Sequence, residues 1–167
     1  MSAEAEKAAR ERRAFFQEFI DKSGLPISPQ SVESRRPPEP DILCCHRDEG
    51  RIAFELAEIC DSAIARKTRG RIRNEVEYIR GSDPSRRIVK DKLKKIYKTE
   101  HPIELLCYNA GSVISPDEQI LEGIRRAIDM SKGQFQRIWL LGARCHLGAR
   151  CYRVWPVSER GPHDRAE

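Results

Sequence analysis

The sequence predicts an α/β protein: a mixed central sheet with flanking helices, in the order helix, hairpin, two helices, strand, helix, two strands. Three observations predict it. Stretches with apolar residues at helical spacing are interspersed with short apolar runs bounded by turn residues. Two of those runs flank the turn Arg47-Asp48-Glu49-Gly50, as a β-hairpin requires. The strand–helix–strand succession from Ile103 to Leu141 calls for a parallel pair joined by a right-handed crossover. The 167 residues suit one domain, placed at 1–155, with 156–167 expected to form a mobile polar tail.

The elements follow in order. From Ala3 to Lys22 the chain reads as a helix whose Phe15, Phe16, Phe19 and Ile20 form one apolar patch, stopped by Ser23-Gly24 and Pro26. Residues Pro26 to Pro40 are rich in Pro, Ser and Arg and read as loop, with a short strand near Val32. Ile42 to Cys45 is a strand. From Arg51 to Ile59 the residues alternate, with Ile52, Phe54 and Leu56 on one face and Ala53, Glu55 and Ala57 on the other. Asp61 opens a helix with the stripe Ile64, Thr68, Ile72, Val76 and Ile79. Asp83-Pro84 opens a second helix running to about Lys98. Ile103 to Tyr108 is a strand. Ser115-Pro116-Asp117-Glu118 is a capping box that starts a helix carrying Ile120, Leu121, Ile124 and Ile128. Phe135 to Leu141 and Cys151 to Trp155 are the last two strands.

Composition excludes several classes. The longest apolar run, near Ile138 to Ala143, is far short of a membrane span, so no membrane partner is expected. The start has no apolar signal-peptide core, and six cysteines then read as thiols of a cytoplasmic protein. Cys44-Cys45-His46 with Cys60 invites a zinc site, but there is no CxxC pair and adjacent strand residues point apart, so buried thiols are the better account. Leu141-Gly142-Ala143-Arg144-Cys145 recurs as Leu147-Gly148-Ala149-Arg150-Cys151 and reads as a glycine-containing connector.

The chemistry-bearing positions are Asp41 and Glu55. If His46 lies opposite Gly50, Asp41 lies opposite Glu55, and opposite residues share a face with Cβ atoms about 4.5–5.5 Å apart. A bulge at Gly50 would shift that register by one. Two adjacent carboxylates repel, and a divalent cation held by one or two carboxylates and several waters relieves the repulsion. Two structural alternatives stand beside this reading: Asp41 as a solvated strand-start residue, and Glu55 paired with an arginine.

Pro40-Asp41, thirteen intervening residues, then Glu55-Leu56-Ala57 resembles the signature of the PD-(D/E)XK nuclease-like, or restriction-endonuclease-like, superfamily. The resemblance implies a helix before a hairpin, with the Asp opening one strand and the acid and Lys in the next. It implies a Mg²⁺- or Mn²⁺-dependent phosphodiesterase acting on nucleic acid, with Asp41 and Glu55 as metal ligands. The carbonyl of Leu56 would assist. An additional acid is common in the family, and Glu18 on the first helix is preferred for it over Glu33. The motif departs at Ala57, where the family has the lysine that orients the attacking water. Either a cation from the following helix replaces it, with Lys67 or Arg66 as candidates, or the fold serves as a nucleic-acid or protein interaction module without catalysis.

Charge distribution points the same way. The formal charge of +5 is unevenly spread: Asp61 to Lys98 holds 13 basic and 5 acidic residues, a net of +8, which leaves −3 for the remainder. A segment this basic attracts phosphates, with Arg66, Lys67, Arg69, Arg71 and Arg73 as the expected nucleic-acid contacts. A solvated helix face is the plainer alternative.

Overall fold

The computed structural model describes residues 2–60, 83–111, 113, 115–129 and 131–157. Helix α1 (Ala3–Ser23) begins where the Ser2 hydroxyl accepts the Ala5 N–H at 3.3 Å, with Glu4 and Glu6 in the first turn favouring its positive end. It ends at Gly24, whose φ of 68° is the left-handed cap that glycine adopts without steric cost. A 3₁₀ turn (Pro29–Ser31) leads to the two-residue β1 (Glu33–Ser34), next to the short strand expected near Val32.

The hairpin is β2 (Ile42–His46) and β3 (Gly50–Glu58), followed among the described residues by α2 (Ser85–Lys94), β4 (Ile103–Tyr108), α3 (Asp117–Ile128), β5 (Phe135–Leu141) and β6 (Cys151–Trp155). The six strands form one sheet in sequence order. The β1–β2, β2–β3 and β5–β6 pairs are antiparallel, and β3–β4 and β4–β5 are parallel. The protein is therefore α/β with a six-stranded mixed sheet and three described helices. The helix expected from Asp61 lies outside the described residues, and so do Arg66, Lys67, Arg69, Arg71 and Arg73. Most of the expected tail, 158–167, lies outside them too.

The alternation in β3 builds two cores. Ile52, Phe54 and Leu56 join Leu106, Tyr108 and Trp139 under Phe16, Phe19 and Ile20 of α1. Ala53 and Ala57 join Leu105, Cys107 and Leu140 under Val89 of α2 and Ile120 and Ile124 of α3. One carboxylate is buried inside the first of these faces. Glu104 is wholly inaccessible and accepts hydrogen bonds from Arg137 Nη1 (2.6 Å), Gln136 Nε2 (3.1 Å) and Trp139 Nε1 (2.7 Å), the compensation a buried charge requires.

Two helix boundaries differ from expectation. Helix α2 stops at Lys94 rather than near Lys98, because Lys95 is extended and its N–H turns back to the Lys92 carbonyl. That break leaves Ile96 84% exposed and carries Tyr97 into the core. The capping box before α3 does not form: Pro116 occupies the cap and no side chain bonds there. The Asp117 carboxylate instead accepts the Ala143 N–H (3.0 Å) and the Tyr152 hydroxyl (3.1 Å), tying the helix start to the β5–β6 connection. At α2, Pro84, expected at the first helical position, occupies the cap without a capping side chain, and the Asp83 carboxylate one residue earlier accepts the Ser85 N–H at 3.1 Å.

Candidate active site

The hairpin register brings the two acids together. Ile42 pairs with Phe54 and His46 with Gly50, so the residue before β2 meets Glu55. The Asp41 N–H donates to Glu55 Oε2 (3.3 Å), and the Leu56 N–H donates to Asp41 Oδ2 (3.0 Å). Each carboxylate is thus held by the backbone of the other's strand. Glu55 is 5% exposed, on the β3 face that looks toward α2 and α3.

Two cations meet this pair from opposite layers. Lys92 Nζ of α2 lies 2.5 Å from Glu55 Oε1, and Arg12 Nε of α1 lies 3.6 Å from Asp41 Oδ1. The reason is local. Ser85 and Val89 are the buried residues of α2, and Lys92 lies three residues beyond Val89 and seven beyond Ser85, on the same helical face. Its ammonium enters the layer that holds Ala57 and Cys107, the neighbours of Glu55 on the sheet. Arg12 precedes the buried Phe16 by four residues and reaches the sheet from the α1 side.

The electrostatics follow from burial. Burial pushes the Glu55 carboxyl above its usual range and the Asp41 charge pushes it further, while Lys92 and the Asp41 N–H pull it back down. Tyr97 lies beside the same carboxylates, and its phenol is raised by burial first and then by Glu55 and Asp41. Tyr108, stacked on Phe15 with ring centroids 4.5 Å apart, is raised by burial and the Glu58 charge, and Arg12 opposes that rise.

The expected residues are only partly assembled. Asp41 and Glu55 meet. Glu18 lies instead beside Arg144, its Oε1 3.6 Å from the guanidinium Nε, and Glu33 pairs with Arg35 and Arg51. Lys67 and Arg66 lie outside the described residues, and the cation found at Glu55 is Lys92. Lys92, Arg12 and Tyr97 were hidden in the sequence, Lys92 among thirteen cations of one segment. The available signal was position: a lysine on the apolar stripe of α2, and an arginine on that of α1.

Among the described residues no group of three or more His, Cys, Asp and Glu side chains could hold a metal. A hard cation such as Mg²⁺ or Mn²⁺ takes one or two protein carboxylates and keeps most of its waters, and Asp41 and Glu55 are the two described carboxylates that would hold it. Such an ion would share Glu55 with Lys92 and Asp41 with Arg12. Cys44 and Cys45 are adjacent on β2, the first buried and the second exposed. His46 Nδ1 accepts the Asp48 and Glu49 N–H groups at 3.2 Å each, fixing the turn. The Cys44 thiol is pushed up to about 12, chiefly by burial.

Comparison with protein-family models, with curated proteins and with solved structures gives no match. No described helix is long and apolar enough to cross a membrane.

Proposed function

We propose that the protein is a Mg²⁺- or Mn²⁺-dependent phosphodiesterase of restriction-endonuclease-like architecture that cleaves nucleic acid. The observation that carries this reading is Lys92. Its ammonium stands at Glu55, in the layer that holds Ala57, where the superfamily's strand lysine would reach. Asp, Glu and a lysine then converge, with the lysine borne on a helix instead of the strand.

The roles follow from the chemistry of each group. Asp41 and Glu55 would hold the cation, which when bound supplies charge neutralisation on the phosphoryl oxygens. Lys92 would orient and polarise the attacking water. The water oxygen bonds to phosphorus and the bridging P–O bond breaks. The proton released would pass to bulk water, and the leaving oxygen would take one from it. The basic segment from Asp61 to Lys98, net +8, would bind the nucleic-acid backbone.

A specific observation favours a second reading, a catalytically inactive module that binds nucleic acid or protein. Both carboxylates already face protein cations, and among the described residues two positive charges stand against the two negative ones. Calorimetric titration of Mn²⁺ into the parent, Asp41→Ala and Glu55→Ala separates the two. The phosphodiesterase reading expects binding to the parent, weakened in both variants, and Glu55-dependent cleavage of DNA or RNA at low salt. A parent that binds no Mn²⁺ defeats it.

A further inference from the structure

A cavity of about 440 Å³ lies one residue pair from the two carboxylates. Its lining includes Leu43 and Ala53, cross-strand partners on the sheet face that carries Glu55. Two residues along a strand span about 7 Å, which sets the step from Ala53 to Glu55. Pro40 and Ile42, also of the lining, flank Asp41 in the chain. The walls come from two segments, 35–40 and 98–101, clasped where the Lys98 N–H donates to the Pro38 carbonyl at 3.0 Å. A second tie, from the Arg35 N–H to the Asp41 carbonyl at 2.8 Å, joins the first segment to the acid itself. The cavity is thus built into the fold, as ligand pockets commonly are.

Its floor is apolar and its rim polar. Ile42, Leu43 and Ala53 are buried, whereas Lys98 and Glu100 are exposed and His101 is half-buried. Arg35 and Glu39 satisfy each other through bonds of 2.9 and 3.1 Å. Among the described residues no hydrogen bond or ion pair engages the side chains of Lys98, Glu100 or His101. Arg35 and Lys98 stand against Glu39 and Glu100, so a bare anion would meet as much repulsion as attraction. A neutral heteroaromatic ring suits the site better. Its face lies on the apolar floor, and its edge finds a donor in Lys98, an acceptor in Glu100 and either in His101.

We propose that this cavity binds one nucleobase, that of the nucleotide next to the phosphate held at Asp41 and Glu55. Its place beside that phosphate rests on the phosphodiesterase reading. A base enters such a pocket only when unstacked and unpaired, so the substrate class is nucleic acid with an unpaired nucleotide at the cut.

The test adds nucleoside 5′-monophosphates, with ribose 5-phosphate as the base-free control, to the parent in metal-free buffer. His101 lines the cavity, so its ring resonances report occupancy there. Saturable shifts are expected with nucleotides, and binding at least about 5-fold weaker with ribose 5-phosphate. Lys98→Ala, which removes the donor, and Thr99→Phe, which fills the cavity, should each weaken nucleotide binding about 5-fold or more. Thermal melting controls for folding, and Lys98→Ala should match the parent because position 98 is exposed. Ribose 5-phosphate binding as tightly as the nucleotides overturns the proposal, and so does a His101 ring that no nucleotide shifts at about 10 mM. Nucleotide binding that both variants retain overturns it as well. A parent that cleaves nucleic acid without base-dependent binding refutes the pocket and leaves the phosphodiesterase reading standing. Base-dependent binding lost in both variants of a protein that cleaves nothing supports the pocket and removes that reading.

Discussion

Replacing Lys92 with methionine removes one charge and keeps most of the stem. Glu55, 5% exposed, would then face Asp41 without its cation. Breaking a buried ion pair by removing one partner typically costs about 3–5 kcal/mol. Lys92 is 22% exposed, so that range is an upper bound here. A second ceiling comes from titration. Glu55 is already raised by burial and by Asp41, and losing Lys92 removes the chief cause that lowers it. Rather than stay charged, it takes a proton. A glutamate ionised near 4.3 in the unfolded chain but protonated in the fold destabilises by about 1.4 kcal/mol for each pH unit above that value. The ceiling is about 3.7 kcal/mol at pH 7 and about 1 kcal/mol at pH 5. Because the folded variant binds the extra proton, the deficit grows as pH rises. Urea unfolding in metal-free buffer at both pH values measures it. A gap between parent and Lys92→Met larger at pH 7 than at pH 5 is expected. An equal gap, or a variant as stable as the parent at pH 7, refutes the pairing of Lys92 with a buried Glu55.

Three other outcomes follow from the packing. A Cβ at Gly123 would lie 2.0 Å from the fully buried Ser85 Oγ, so Gly123→Ala should lose about 1 kcal/mol or more despite its better helix propensity, read by urea unfolding. Glu104→Gln takes away the charge buried against Arg137 and should cost about 2–4 kcal/mol, below a complete pair loss because Glu49 still holds Arg137 at 2.6 Å. A thiol reagent at pH 8 should modify the exposed Cys45 and Cys145 first and leave Cys44 and Cys107 silent, since burial hides these two and pushes each up to about 12, as peptide mapping would show.

Legibility in the sequence followed from how local each determinant was. The strands Ile103–Tyr108, Phe135–Leu141 and Cys151–Trp155 read directly, because their apolar runs are bounded by turn residues on both sides. The two faces of β3 were equally plain from alternation. The Asp41–Glu55 meeting followed from counting back from the turn, and the register has that count. Capping was less legible. Asp117 has tertiary partners in Ala143 and Tyr152 that outcompete the local box. Lys92 and Tyr97 were illegible for a related reason. What they meet is 37 and 42 residues back along the chain, and only the break at Lys95 turns Tyr97 inward.

The central claim is that Lys92 does from a helix what a strand lysine does elsewhere. The most direct measurement is Mn²⁺-dependent cleavage by the parent, Lys92→Ala, and Lys92→Ala combined with Ala57→Lys. Ala57 shares the face of Glu55 and packs in the same core as Val89 of the Lys92 helix, so a lysine there would enter the space that Lys92 vacates. Cleavage should fall by about 100-fold or more in the single variant and recover at least in part in the double variant. A Lys92→Ala protein that cleaves as well as the parent contradicts the account.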